Sequence, residues 1–108
     1  MSKINMDEVF TEESALLSKV TEWLAPQERR GIKVIRICDR YAKGYSDLFI
    51  CVNGIFVCAE LKDDEGVASP HQKLFLQQMA NVGAIVGICR TVGEVAELVN
   101  QAQLRSLV

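Results

Sequence analysis

Apolar residues early in the chain recur with the 3.6-residue period of a helix: Leu16, Leu17, Val20, Trp23 and Leu24 share one stripe. Thr11 is the expected N-cap. Glu12 and Glu13 complement the dipole in the first turn, Phe10 and Ala15 take the staple positions, and Pro26 stops the helix. The pattern then shifts to runs rich in branched residues, which predict β-strands over residues 32 to 40 (IKVIRICDR), 47 to 52 and 55 to 62. Between the last two lies Asn53-Gly54, a dipeptide suited to a two-residue hairpin in which both turn residues need positive φ. Ser69-Pro70 opens a second helix in N-cap and N1 positions, running to about Val82, with Gly83 as its left-handed C-terminal cap. Residues 84 to 90 form a short buried strand, and Thr91 with Glu94 spells a capping box. It heads a last helix whose Val95, Leu98, Val99 and Ala102 keep one face. The expected order is α-β-β-β-α-β-α. The strand, helix, strand passage through residues 55 to 90 suits a parallel crossover, so the fold class is α/β, a mixed central sheet flanked by helices on both faces.

The hairpin turns a composition into a geometry. With Asn53 and Gly54 as the loop, Val52 faces Ile55, and stepping outward along both strands brings Asp47 opposite Glu60 on one face. Lys62, two residues beyond Glu60, emerges on that face as well. Every intervening pair is apolar, which places the hairpin in the middle of the sheet. Two carboxylates about 5 Å apart repel by roughly 3 kcal/mol at an effective dielectric near 20. A raised pKa on one acid, the Lys62 ammonium, or a divalent cation held between them would each offset that repulsion. Paired oxygen ligands without Cys or His suit Mg²⁺ or Mn²⁺.

Two further side chains point toward this place. Glu13 lies within about 20° of the centre of the first helix's apolar stripe, whereas Glu12 lies near its edge. Gln72 completes a capping box with Ser69, yet it also shares a face with Phe75, Leu76 and Met79 and so aims at the sheet. His71, in the first helical turn, is expected to be exposed, and Asp63, Asp64, Glu65 and Gly66 form a polar loop.

Composition narrows the class. In a chain of 108 residues, 49% hydrophobic and 24% charged residues describe one globular domain over residues 1 to 108 rather than a disordered chain. The start lacks an apolar leader and the longest apolar runs are far short of a membrane span, so a cytoplasmic protein is expected. Cys38, Cys51, Cys58 and Cys89 contain no CxxC pair and each lies in an apolar run, which predicts small core residues rather than a zinc or redox site. The net charge of −2 is unevenly spread. Arg29, Arg30, Lys33, Arg36, Arg40 and Lys43 meet only Asp39, making one basic segment on an acidic chain.

An acid, a hairpin and then Glu-x-Lys resembles the pattern of the PD-(D/E)XK nuclease superfamily. The likeness runs from Gly44 to Val95 as GYSDL, AELK, SPHQKLFLQQM, NVGAIVGIC and TVGEV. That stretch resembles the virus-type replication-repair nuclease domain (VRR-NUC), in which G-x-x-D-L, E-x-K and S-x-x-Q succeed one another. Ser46 stands where the superfamily's named motif has proline.

The resemblance implies a restriction-endonuclease-like αβββαβα core. It makes Asp47 and Glu60 metal ligands, with Glu13 as the first-helix acid and the Leu61 backbone carbonyl as a further ligand. Lys62 becomes the catalytic lysine and Gln72 the glutamine of the second helix, and the cofactor becomes Mg²⁺, with Mn²⁺ as a substitute. The basic segment is then the expected grip on DNA phosphates, without base specificity. The implied function is a structure-selective DNA endonuclease acting on branched DNA such as four-way junctions. Stand-alone members of this size resemble junction-resolving homodimers, which implies a dimer in a bacterial or virus-infected bacterial cell. Alternatives are a nuclease of the same fold acting on flaps, ends or RNA, and a non-catalytic nucleic-acid-binding or assembly subunit.

Overall fold

A computed structural model of the chain describes residues 3–28, 31–36 and 48–108. Helix α1 spans Glu13–Leu24 and tightens into a 3₁₀ turn at Ala25–Gln27, around Pro26. Strands β1 (Ile32–Arg36), β2 (Leu48–Val52) and β3 (Ile55–Leu61) follow. Then come α2 (Pro70–Asn81), β4 (Ile85–Cys89) and α3 (Val92–Ser106). The order matches the expectation.

The sheet runs β1-β2-β3-β4, with the first three strands antiparallel and β4 parallel to β3 across the α2 crossover. Asn53 and Gly54 turn the hairpin at φ 48° and 88°, the left-handed conformation required of both positions. The register follows from the turn: Val52 pairs with Ile55 and Leu48 with Ala59.

Alternation along these strands divides the side chains between two unequal layers. On one face Leu48, Ile50, Val52, Val57, Ala59 and Leu61 meet Leu16, Val20 and Leu24 of α1 and Val95, Val99 and Ala102 of α3 in a dry core. On the other, α2 covers a smaller cluster of Cys58, Leu76 and Ala84, edged by half-buried Phe49, Phe56, Phe75, Met79 and Val86. There Phe49 packs at a tilt on Phe56 and Phe75, with ring centroids 5.2 Å and 5.9 Å apart.

The helix caps depart from the sequence reading in two places. Thr11 does not cap α1. Glu12 occupies the N-cap without a side-chain bond, because its carbonyl is the one that accepts from Ala15 and Leu16 N–H, at 3.1 Å and 3.3 Å. At α3, Thr91 Oγ1 accepts from Glu94 N–H at 3.0 Å, but Glu94 Oε1 reaches back one residue further and accepts from Arg90 N–H at 2.8 Å. The capping box is therefore opened by one residue. At α2 the box is complete, and Gly83, at φ 105°, ends the helix as expected.

Three strand ends are shorter than read from the sequence. β3 stops at Leu61, although Lys62 N–H still donates to Cys89 O at 3.0 Å, and β4 keeps only Ile85–Cys89. Strand β1 is described to Arg36; the expected continuation over residues 37 to 40, with Cys38, lies outside the described residues. No helix among the described residues is long and apolar enough to cross a membrane.

Candidate active site

The pleat of β3 sends Phe56, Cys58 and Glu60 toward α2, while Val57, Ala59 and Leu61 enter the larger core. Glu60 is thus drawn into an apolar layer at 1% exposure, the one charged side chain buried among the described residues. A buried carboxylate is costly unless neighbouring donors replace its water. Two do so. Gln72 Nε2, in the first turn of α2, donates to Glu60 Oε1 at 2.9 Å, and Lys62 Nζ lies 3.6 Å from the same oxygen. Glu60 Oε2 is buried as well.

Gln72 fulfils both roles suggested by its position. Its Oε1 accepts from Ser69 N–H at 2.9 Å, and its backbone N–H donates to Ser69 Oγ at 3.1 Å. Since Oε1 must face a backbone donor, the amide orientation is settled and Nε2 is left facing the acid. The capping box is what aims the glutamine. Register alone could not aim it, because the helix start decides which side chain of the first turn leans over the strand ends.

Lys62 leaves β3 with its side chain 12% exposed. Its aliphatic stem runs beside Gly66, and the loop between them is well tied. Asp63 Oδ1 accepts from Glu65 and Gly66 N–H at 3.1 Å and 2.6 Å, while Arg90 bonds the carbonyls of Asp63 and Gly66 through its two terminal nitrogens. Arg90 was not among the sequence candidates. Its partners lie more than twenty residues away, beyond any local periodicity; its only signal was a basic residue ending an apolar strand.

The other candidates fall in different places. Glu13 is half-buried at the head of α1, on the layer opposite Glu60. The two elements approach at the sheet's end, where Asp64 N–H donates to Phe10 O at 2.8 Å. Asp47, Arg29, Arg30, Arg40 and Lys43 lie outside the described residues. Lys33 is exposed on β1 opposite Cys51, hence on the α2 side of the sheet, and Arg36 closes that strand. His71 is exposed, as expected.

Cys58 and Cys89 are buried, and burial, followed by the charge of Glu94, pushes the Cys89 thiol up to about 12, which keeps it protonated and inert. Cys51 departs from its expected core role: it is exposed, because it sits on β2 while α2 rests over β3 and β4. Among the described residues no three His, Cys, Asp or Glu side chains gather as a metal cluster. Glu60 is a hard oxygen donor held in place by Gln72, a type that fits Mg²⁺ or Mn²⁺ and not a soft ion.

No family model matches the chain, and no curated protein matches it. A solved structure described as a VRR_NUC domain is similar at a TM-score of 0.64, covering 82% of this chain and 94% of that one, at 22% identity. The mixed four-stranded sheet with its flanking helices is therefore the fold of that VRR_NUC domain.

Proposed function

We propose that this chain is a metal-dependent, structure-selective DNA endonuclease that hydrolyses phosphodiester bonds in branched DNA. The observation that carries the reading is the cluster of Glu60, Lys62 and Gln72, in which a buried acid and a lysine share one face with an amide that orients the acid. A structural role explains it poorly, since replacing a buried ion pair with apolar residues of similar volume is often neutral or stabilising.

Glu60 and Asp47 are assigned as the ligands of Mg²⁺ or Mn²⁺, with Glu13 and the Leu61 carbonyl completing the set. Such an ion, when bound, polarises the scissile phosphate and lowers the pKa of water. The protein's own contribution lies in order. Gln72 holds the Glu60 carboxylate in one orientation, so that no reorganisation is needed when substrate arrives. Lys62 supplies a positive charge at the same face, to orient the attacking water or to balance charge developing on the phosphate. Lys33, with Arg29, Arg30, Arg36, Arg40 and Lys43, grips the DNA backbone without reading bases. A homodimer of such domains would present two sites to the paired strands of a junction.

The test incubates the purified chain with labelled four-way junction, flap and linear duplex, in Mg²⁺, Mn²⁺ or EDTA, beside Asp47→Ala and Lys62→Ala. Junction cleavage that needs the ion and both residues is expected. Cleavage surviving EDTA or either substitution overturns the mechanism, and intact binding without cleavage of any substrate favours an assembly subunit.

A further inference from the structure

The side chain of a lysine has four rotatable bonds, and ordering it forfeits much of that freedom. A lysine used in catalysis gains from being ordered beforehand. Around Lys62 the structure supplies such order from both directions. On the main chain, Lys62 N–H donates to Cys89 O at 3.0 Å, and the carbonyl of the next residue, Asp63, accepts from Arg90 Nη1. Cys89, the last residue of β4, and Arg90, the residue after it, thus hold the backbone at Lys62 and just beyond it. On the side chain, Gly66 forms a wall: a Cβ at that position would lie 3.2 Å from Lys62 Cδ and 3.5 Å from Lys62 Cβ. The wall is fixed at both of its own polar groups, by Asp63 Oδ1 on its N–H at 2.6 Å and by Arg90 Nη2 on its carbonyl at 2.7 Å.

We propose that Arg90, acting through Asp63 and Gly66, is the positioning residue for Lys62. The planar guanidinium spans two carbonyls with a rigid fork of donors, whereas an ammonium on a flexible stem offers no such fixed geometry. Glu94 fixes the base of the same residue through the Arg90 N–H, at 2.8 Å. Gly66 suits the space here: a Cβ would lie 3.0 Å from Asp63 Oδ1 and 3.2 Å from Lys62 Cδ, so the loop or the lysine stem would have to shift by a few tenths of an ångström to admit one. The assignment rests on the reading of Lys62 as a catalytic group, and its test separates the two.

In the full-length metal-free chain, the ¹³Cε–¹Hε signal of Lys62, identified by its loss in Lys62→Arg, reports side-chain order directly. Two distinct, rigid Hε protons are expected in the wild type, and averaged ones in Arg90→Lys, Arg90→Met and Gly66→Ala. In cleavage assays the same variants should lose about 10- to 100-fold in kcat, as for a displaced reacting group, with KM changed less than about threefold, since binding is spared. Arg90→Lys keeps the charge and loses only the fork, so it should resemble Arg90→Met. Should Arg90→Met fail to fold, Arg90→Lys and Gly66→Ala decide. An unaveraged Lys62 signal with wild-type kcat in Arg90→Lys overturns the proposal, as does equal averaging in Val95→Ala, a core variant that lowers Tm without touching the loop. If the wild type cleaves nothing while Arg90→Lys still averages Lys62, the positioning role stands and the nuclease reading falls.

Discussion

The two faces of the sheet are built from the same strands, yet they do different work. Toward α1 and α3 every buried side chain among the described residues is apolar, and Leu16, Val20, Leu48, Ile50, Val57 and Leu61 are wholly buried. Toward α2 the buried apolar cluster among the described residues is limited to Cys58, Leu76 and Ala84, and the strand end carries a buried acid instead of another aliphatic residue. Apolar burial is worth about 25 cal/mol per Å², so the larger layer holds most of the fold's stabilisation. The smaller layer can then tolerate a costly carboxylate and two polar neighbours. Stability and candidate chemistry are separated by one thickness of sheet, and neighbouring residues of β3, Leu61 and Glu60, lie on opposite sides of that division.

The sharpest way to break the contrast is to remove charge from the α2 side without changing shape. Glu60→Gln keeps an oxygen for Gln72 and should lose about 10³-fold or more in cleavage, a scale typical for loss of a preorganised electrostatic group. Its Tm should change little, because relief of the buried carboxylate is set against the lost partner of Lys62; a large fall in Tm would place Glu60 among the stabilising residues instead.

The opposite result is expected across the sheet. Leu16→Ala should cost about 2 to 5 kcal/mol in urea unfolding, a large share of the roughly 5 to 15 kcal/mol of a typical domain, while leaving kcat per folded molecule unchanged. Met79→Ala, at a half-buried position on α2, should cost less.

Gln72 joins the two concerns. Gln72→Leu removes a cap acceptor and leaves Glu60 short of a donor, with an expected loss of about 1 to 3 kcal/mol. Gln72→Glu keeps the acceptor for Ser69 N–H, so it should retain the start of α2, read by amide exchange at Gln72 and Lys73, yet still impair cleavage. Equal cleavage by wild type and Gln72→Glu would reduce the residue to a cap.

The effect that is smallest at neutral pH comes from the larger core, since it appears only in alkali. Cys89 has its thiol raised from 9.0 to about 12 in the folded chain. The unfolded chain therefore releases that proton first, and the stabilising contribution of the protonated thiol, complete below about pH 9, is lost as pH rises toward 12. The slope is at most about 1.4 kcal/mol per pH unit. Cys89→Ala should flatten the stability profile in that window by comparison with the wild type; parallel profiles would show that another group is responsible.

Much of this organisation was legible in short-range patterns. Asn53-Gly54 located the turn, the turn set the register, and the register placed Glu60 on the face it occupies. Ser69-Pro70 located the start of α2 in the same way. Local reading failed at two helix caps: Thr11 was expected to cap α1 but Glu12 takes that position, and the side chain of Glu94 had two backbone donors within reach. It failed also at Cys51, whose exposure depends on how far α2 extends across the sheet, a quantity no residue of β2 encodes.

Helix and strand periods, turn chemistry and caps depend on residues within a few positions of one another, so the chain alone specified its elements, their order and the pairing of the hairpin. Joining Gln72 to Glu60, or Arg90 to the loop beyond Lys62, required folding distant segments onto one end of the sheet. Those contacts have no sequence period, since their geometry comes from the crossover that sets α2 over β3 and brings β4 alongside it. That packing turned an acid, a lysine and an amide from three polar interruptions of an apolar pattern into a single, ordered group.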